Sequence, residues 1–326
     1  MPAENSLRLS AARRLSPEFN SIVVSIVSSW LLFAAFFTAL EPASTRAQGQ
    51  SGMSSQSQSS QSQSSQAQAL VRQTLAAEFN AAQDSSHPMR YLLRKSSPRL
   101  ITTKEIVETR DGDVARLLSV NDKPLSPEAE QQEQARLDQL LSDPGRQHQR
   151  KQSEDDDRAR ALKILRALPT AFLYEDAGPA EGASGGVSGG ASGILEKFTF
   201  RPNPSFSPPD LESQVLTQMT GTILIDRTAK RVVRLEGHLQ RDIDFAWGIL
   251  GRLDKGGWIA LDEAEVGGSQ WRTVRFQMVM SGRVLFKSRS FDTTEEQSRF
   301  VPLTANLSYR DAIQLLRSGT DTASTK

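Results

Sequence analysis

Histidine is the side chain best suited to proton transfer near neutrality, and the three in this chain stand apart. His87 precedes a proline, His148 falls in a polar helical stretch, and His238 lies on the wet side of a strand pattern; none has a partner at metal-ligand spacing. Carboxylates are abundant, but pairs such as Asp262-Glu263 and Glu295-Glu296 are adjacent, and neighbours in a strand point to opposite faces. They read as surface charge rather than as an acid/base pair. Asp155, Asp156 and Asp157 project around a helix instead of converging on a cation, so they read as a solvated N-terminal turn. The glycine-rich stretch from Gly178 to Gly193 lacks the Gly-Lys-Ser/Thr ending of a phosphate-binding loop. Neither a Gly-x-Ser-x-Gly elbow nor a His-Glu-x-x-His helix occurs. The expectation is a non-enzymatic protein with no catalytic residues, no metal site and no cofactor, an atypical hydrolase being the lesser alternative.

Composition narrows the setting. The 326 residues hold 39 basic and 38 acidic side chains, a formal charge of +1, so no global field draws in nucleic acid. Cysteine is absent, which removes disulfides, thiolate nucleophiles, iron–sulfur ligands and the acylated cysteine of a lipoprotein. At the N-terminus Arg8, Arg13 and Arg14 precede an apolar run from Ile22 to Leu40 and then small and polar residues, the order of a signal peptide. Residues 1–47 are expected to direct export from a bacterial cytoplasm to the periplasm or cell envelope. Thr45 and Ala47 suit the peptidase subsites; an uncleaved membrane anchor is the alternative. Residues 48–68, nearly all Gln, Ser and Gly at first, read as a disordered linker, and 319–326 as a disordered tail.

Between these segments, residues 69–318 read as one domain. Leu70, Val71, Leu75 and Phe79 recur at helical spacing over Ala69 to Ala82. Strand patterns follow at Met89 to Lys95, Leu100 to Thr109 and Val114 to Val120, with Asp111-Gly112 as a turn. Residues 126–168 form a helical insertion: Ser126-Pro127-Glu128 opens one helix, and Leu162, Ile164, Leu165 and Leu168 give a second an apolar stripe before Pro169 stops it. Strands at Ala171 to Glu175 and Ile194 to Arg201 flank a flexible loop over 177–193. A hairpin from Thr222 to Gln240 comes next, with Val233, Leu235 and Leu239 on one face. Strands at Gly256 to Val266, Trp271 to Met280 and Val284 to Phe291 follow, then a last one near Phe300 to Leu303 and a helix opened by a capping box over Ser308 to Asp311. Val274, Phe276, Met278 and Met280 alternate with Arg275, Gln277 and Val279, which gives one apolar face. The fold class is therefore α+β, with roughly ten antiparallel strands and helices gathered in a few insertions.

The segments Gly221-Thr222-Ile223-Leu224-Ile225-Asp226, Arg231 to Gly237, Gly256-Gly257-Trp258 and Trp271-Arg272-Thr273-Val274, in this order behind an exported helix, resemble exported bacterial proteins related to the outer-membrane lipoprotein carriers. Ser119 to Glu128 is similar to uncharacterised members of that group. The resemblance spans most of residues 70–305, and it implies a strongly curved antiparallel half-barrel whose concave side is lidded by helices around an apolar cavity. The long helical insertion and the glycine-rich loop depart from a minimal carrier. In such a fold Leu235, Phe276, Met278, Met280 and Phe286 would line the cavity with Trp258 near its rim, because thioethers and rings adapt to flexible chains. The partner would be a lipid, an acyl chain or a lipidated protein. The alternative is an envelope scaffold or interaction module in which the same residues fill a solid core.

Overall fold

The computed structural model describes residues 55–180, 194–245, 251–284 and 287–318. Residues 1–54, read as a signal peptide and the start of a linker, 181–193 of the glycine-rich stretch, 246–250, 285–286 (with Phe286) and 319–326 lie outside the described residues.

An α+β architecture is observed, built on a 13-stranded sheet whose neighbouring strands pair antiparallel. Helix α1 (Ser55–Gln83) precedes β1 (Met89–Ser96), β2 (Ile101–Val107), β3 (Val114–Val120) and β4 (Lys123–Pro124). Helices α2 (Pro127–Ser142) and α3 (Pro144–Ala171) follow, then β5 (Phe172–Pro179), β6 (Leu195–Pro202), α4 (Leu211–Gln214) and a single 3₁₀ turn over Val215–Gln218. The chain continues through β7 (Met219–Asp226), β8 (Arg231–Leu239), β9 (Ile243–Phe245), β10 (Gly251–Leu253), β11 (Trp258–Glu265), β12 (Trp271–Val284) and β13 (Lys287–Pro302), and ends on α5 (Tyr309–Ser318). The strand order is β4-β3-β2-β1-β13-β12-β11-β8-β7-β6-β5, with β10 joining β12 and carrying β9. The ends of this order, β4 and β5, are not paired with each other, so the sheet is open.

Thirteen strands replace the roughly ten expected, because β4, β9 and β10 are too short to show alternation. Two expected strands near residues 284–303 are one, β13, and β12 continues past Met280 through Ser281-Gly282 to Val284. Gly282 pairs with Leu253, and a Cβ there would stand 2.3 Å from the Arg252 carbonyl oxygen. Glycine at this position allows close backbone approach.

Residues 55–68, read as linker, belong to α1. Ala67, Val71 and Leu75 bury one stripe of that helix, and once such a turn is packed each further residue propagates it at little cost, glutamine being a fair helix former. The caps expected at Ser126 and Ser308 are met, and Asp143 adds one that was not expected. Ser126 Oγ accepts the Ala129 N–H with Pro127 in the first turn, Asp143 accepts the Arg146 N–H for α3, and Ser308 and Asp311 bond reciprocally at α5. Pro169 does not stop α3, which runs two residues further; so near the end it removes one hydrogen bond without breaking a following turn. Asp155 to Asp157 accordingly lie mid-helix: Asp155 pairs with Lys151 at the surface, while Asp157 is buried beside Arg160.

The main core joins α1 and α3 to the β5–β8 end of the sheet, with Phe172 and Phe200 at 4.5 Å between ring centroids. A second core packs α2 and α5 on Val107 and Val114. There the buried Arg116 donates to the Leu316 carbonyl at 2.7 Å and to Glu130 at 2.5 Å, tying β3 to both helices.

Candidate functional site

Between the sheet and the helices lies a cavity of about 1060 Å³. Its floor is sheet: Val232 and Leu235 from β8, Ile259 and Leu261 from β11, and Phe276 from β12. Its roof is Leu75 from α1 and Ile164, Leu165 and Leu168 from α3, closed at one end by Leu211, Val215 and Leu216. The exposed Asp84, Ser85 and His87 at the rim open it to solvent beside the α1–β1 connection.

Two register shifts decide which side chains face inward. Between Asp262 and Glu263 the β11–β12 pairing jumps from Arg275 to Thr273, so Val274 drops out of the ladder. Thr273 and Trp271 then share the cavity side with Phe276, the place that simple alternation gives to Val274. In the same way the β7–β8 pairing skips Val233, and Val232 joins Leu235 on the floor.

Of the six expected lining residues, Leu235 and Phe276 line the cavity. Met278 and Met280 are buried on the same strand as Phe276, packed with Ile259, Leu261 and Phe291 beyond the cavity wall. Trp258 is half-buried opposite His238 and Val279, with the reverse parity to Ile259 and Leu261, so it does not reach the cavity. Phe286 is outside the described residues.

One wall is polar. Arg231 is held by Glu78 from α1, with Glu263 at 3.6 Å, and its guanidinium stands 5.6 Å from the centroid of Trp271. Burial pushes the Glu263 carboxyl up to about 8, and the Glu78 charge adds to the effect, while Arg231 and Arg272 oppose it. Nearer the mouth Glu108 is pushed up to about 7 by burial and by Asp113, against the pull of Arg272 and Arg158. Glu154, whose Oε2 accepts the Asp113 N–H at 3.0 Å, is pushed up to about 8 by burial and Asp113. Raised carboxyls mark a partly dry environment here. No group of three His, Asp or Glu side chains among the described residues is arranged to hold a metal ion.

Sequence reading gives no role to Glu78, Arg231 and Arg272 and takes Asp262-Glu263 for surface charge, whereas Asp262 is buried and Glu263 lines the cavity. Glu78 carried a signal, since it continues the buried stripe of Val71, Thr74 and Leu75 on α1. The others depend on a bulge or on contacts between remote segments. The floor and roof can enclose a flexible apolar chain, and the polar wall and mouth can orient a head group.

No family model matches this chain, and no curated protein matches it either.

Proposed function

We propose that this protein is a non-enzymatic binder, or carrier, of an acyl chain or similar apolar group, working in the cell envelope after export. The observation that carries the reading is the cavity between the sheet and helices α1 and α3, in which Leu75, Ile164, Leu165 and Leu168 face Val232, Leu235, Ile259, Leu261 and Phe276. At about 1060 Å³ it sits at the upper limit of small-molecule sites, which run from roughly 300 to 1,000 Å³. Allowing roughly 30 Å³ for each water-sized group, it accommodates about 35 such groups, the bulk of a lipid with one or two chains. A void of this size lined by Leu, Ile, Val and Phe is costly to leave as water and is relieved by an apolar occupant. The export-type N-terminus and the resemblance to lipoprotein carriers point the same way. A strongly curved half-barrel lidded by helices belongs to this proposal.

The test is organic extraction of the purified full chain followed by mass spectrometry, together with uptake of the neutral dye N-phenylnaphthylamine. Near-stoichiometric lipid, or dye fluorescence lost in Leu261→Trp while circular dichroism is unchanged, supports carriage. Neither lipid nor dye uptake would overturn it and leave the scaffold reading.

A further inference from the structure

The apolar part of the cavity says nothing about a head group, but its mouth does. Arg158 on α3 and Arg272 on β12 both line it, and both are half-buried. Arg272 donates to the His87 carbonyl at 2.7 Å and to its neighbour's, that of Trp271, at 3.2 Å, and neither arginine forms an ion pair among the described residues. The other charges of the mouth have partners. Lys151 holds Asp155 at 2.7 Å, Asp84 is bound by Ser86 and His87, and Glu108 accepts the Met89 N–H at 2.9 Å. Glu108 is a carboxylate within electrostatic reach of both arginines, and burial beside Asp113 pushes it up to about 7. Asp113 in turn has Arg150 near it. A guanidinium that is partly desolvated and bound only to carbonyl oxygens retains capacity for an anion, which it binds as a planar fork.

We infer that the ligand is an anionic amphiphile, its chain in the cavity and its carboxylate or phosphate head held at the mouth by Arg158 and Arg272. The inference rests on the proposed apolar-chain binding and adds the head chemistry. A lone cationic head would meet two unpaired guanidinium groups, and a neutral head would leave them without an anionic partner.

The test is displacement of N-phenylnaphthylamine from the full chain by ligands of equal chain length: palmitate, palmitoyl lysophosphatidate, hexadecanol and hexadecylamine. Hydrogen bonds to a charged group contribute roughly 1.5–3 kcal/mol. One of the two anions should therefore displace dye at concentrations about ten- to a hundredfold below hexadecanol, and the better anion identifies the head as carboxylate or phosphate. The ratio of anion to alcohol should fall toward unity in Arg158→Gln with Arg272→Gln, and part of the way in Arg158→Gln alone, whose position on a helix surface makes folding safe. Equal potency of all four ligands, better displacement by hexadecylamine, or a ratio that survives in both variants would overturn the head-group assignment while leaving the cavity reading intact. Absence of dye uptake by the unaltered chain would overturn both.

Discussion

Arg231 on β8 grips Glu78 on α1 through two parallel hydrogen bonds, Nε to Oε1 at 2.8 Å and Nη2 to Oε2 at 2.6 Å, and the same Oε1 accepts the Val232 N–H at 2.7 Å. One carboxylate thus fastens the roof of the cavity to its floor. Both side chains are largely buried, at 9% and 16% exposure, so removing one leaves the other charge uncompensated. Glu78→Ala is expected to cost about 3–5 kcal/mol, read as a shift in the denaturation midpoint. Replacing both residues by leucine and methionine should recover most of that loss. A single variant as stable as the parent would show that α1 is held by its apolar stripe alone.

Stability should pass through a minimum near pH 8. Glu108, Glu154 and Glu263 are raised from 4.5 to about 7, 8 and 8, so between those limits the folded chain binds more protons than the unfolded one. Their contribution therefore declines as pH rises. Burial pushes Lys104 down from 10.5 to about 8, the Lys95 and Arg136 charges adding to the shift. Above pH 8 it is the unfolded chain that holds the extra proton, and stability rises again toward pH 10. Scanning calorimetry across this range measures both limbs. Glu154→Gln should flatten the falling one, and an unchanged slope would remove Glu154 from the account.

Gly282→Ala is expected to detach β10 from the end of β12. Its Cβ would collide with backbone at 2.3 Å, which no side-chain motion relieves, and such overpacking costs roughly 1–3 kcal/mol. Faster hydrogen exchange at Arg252 and Leu253, with the amides of β1 and β2 still protected, would verify the local nature of the change.

Arg116→Met should loosen α5 while sparing the cavity. The arginine is 2% exposed and bonds the last turn of α5 and the first of α2, so its loss leaves Leu316 without that donor. A drop of about 2–4 kcal/mol is expected, with limited proteolysis releasing the C-terminal helix first. Release of the N-terminal part instead would contradict this division into separate cores.

Much of this architecture was legible in the residues, and what escaped had physical causes. Helix α2 announces itself through Ser126-Pro127-Glu128 and α5 through Ser308 and Asp311, because capping chemistry is local. The strands of the last third were visible through alternation, as Phe276, Met278 and Met280 attest. Alternation assumes an unbroken ladder, however, and at Val274 and Val233 it fails. Each shift moves a neighbouring residue to the inner face, so alternation alone does not bring Thr273 and Val232 there, whereas Trp258 follows plain alternation with Ile259 and Leu261 onto the opposite face. Glu78 was the recoverable omission, since a carboxylate on the buried stripe of a helix demands a cationic partner. Which arginine answers it, 153 residues away, is settled only by the fold.

The pairing of β1 with β13 has a temporal consequence. Met89 faces Pro302 and Ser96 faces Thr294, so the strand that begins the sheet waits for nearly the last one before its second edge is satisfied. Until then the early meander exposes backbone groups ready to join a neighbouring molecule, and closing so long an intervening loop is slow. A growing chain keeps that edge of β1 open until β13 has been made. Through that interval it is open to association with its own kind.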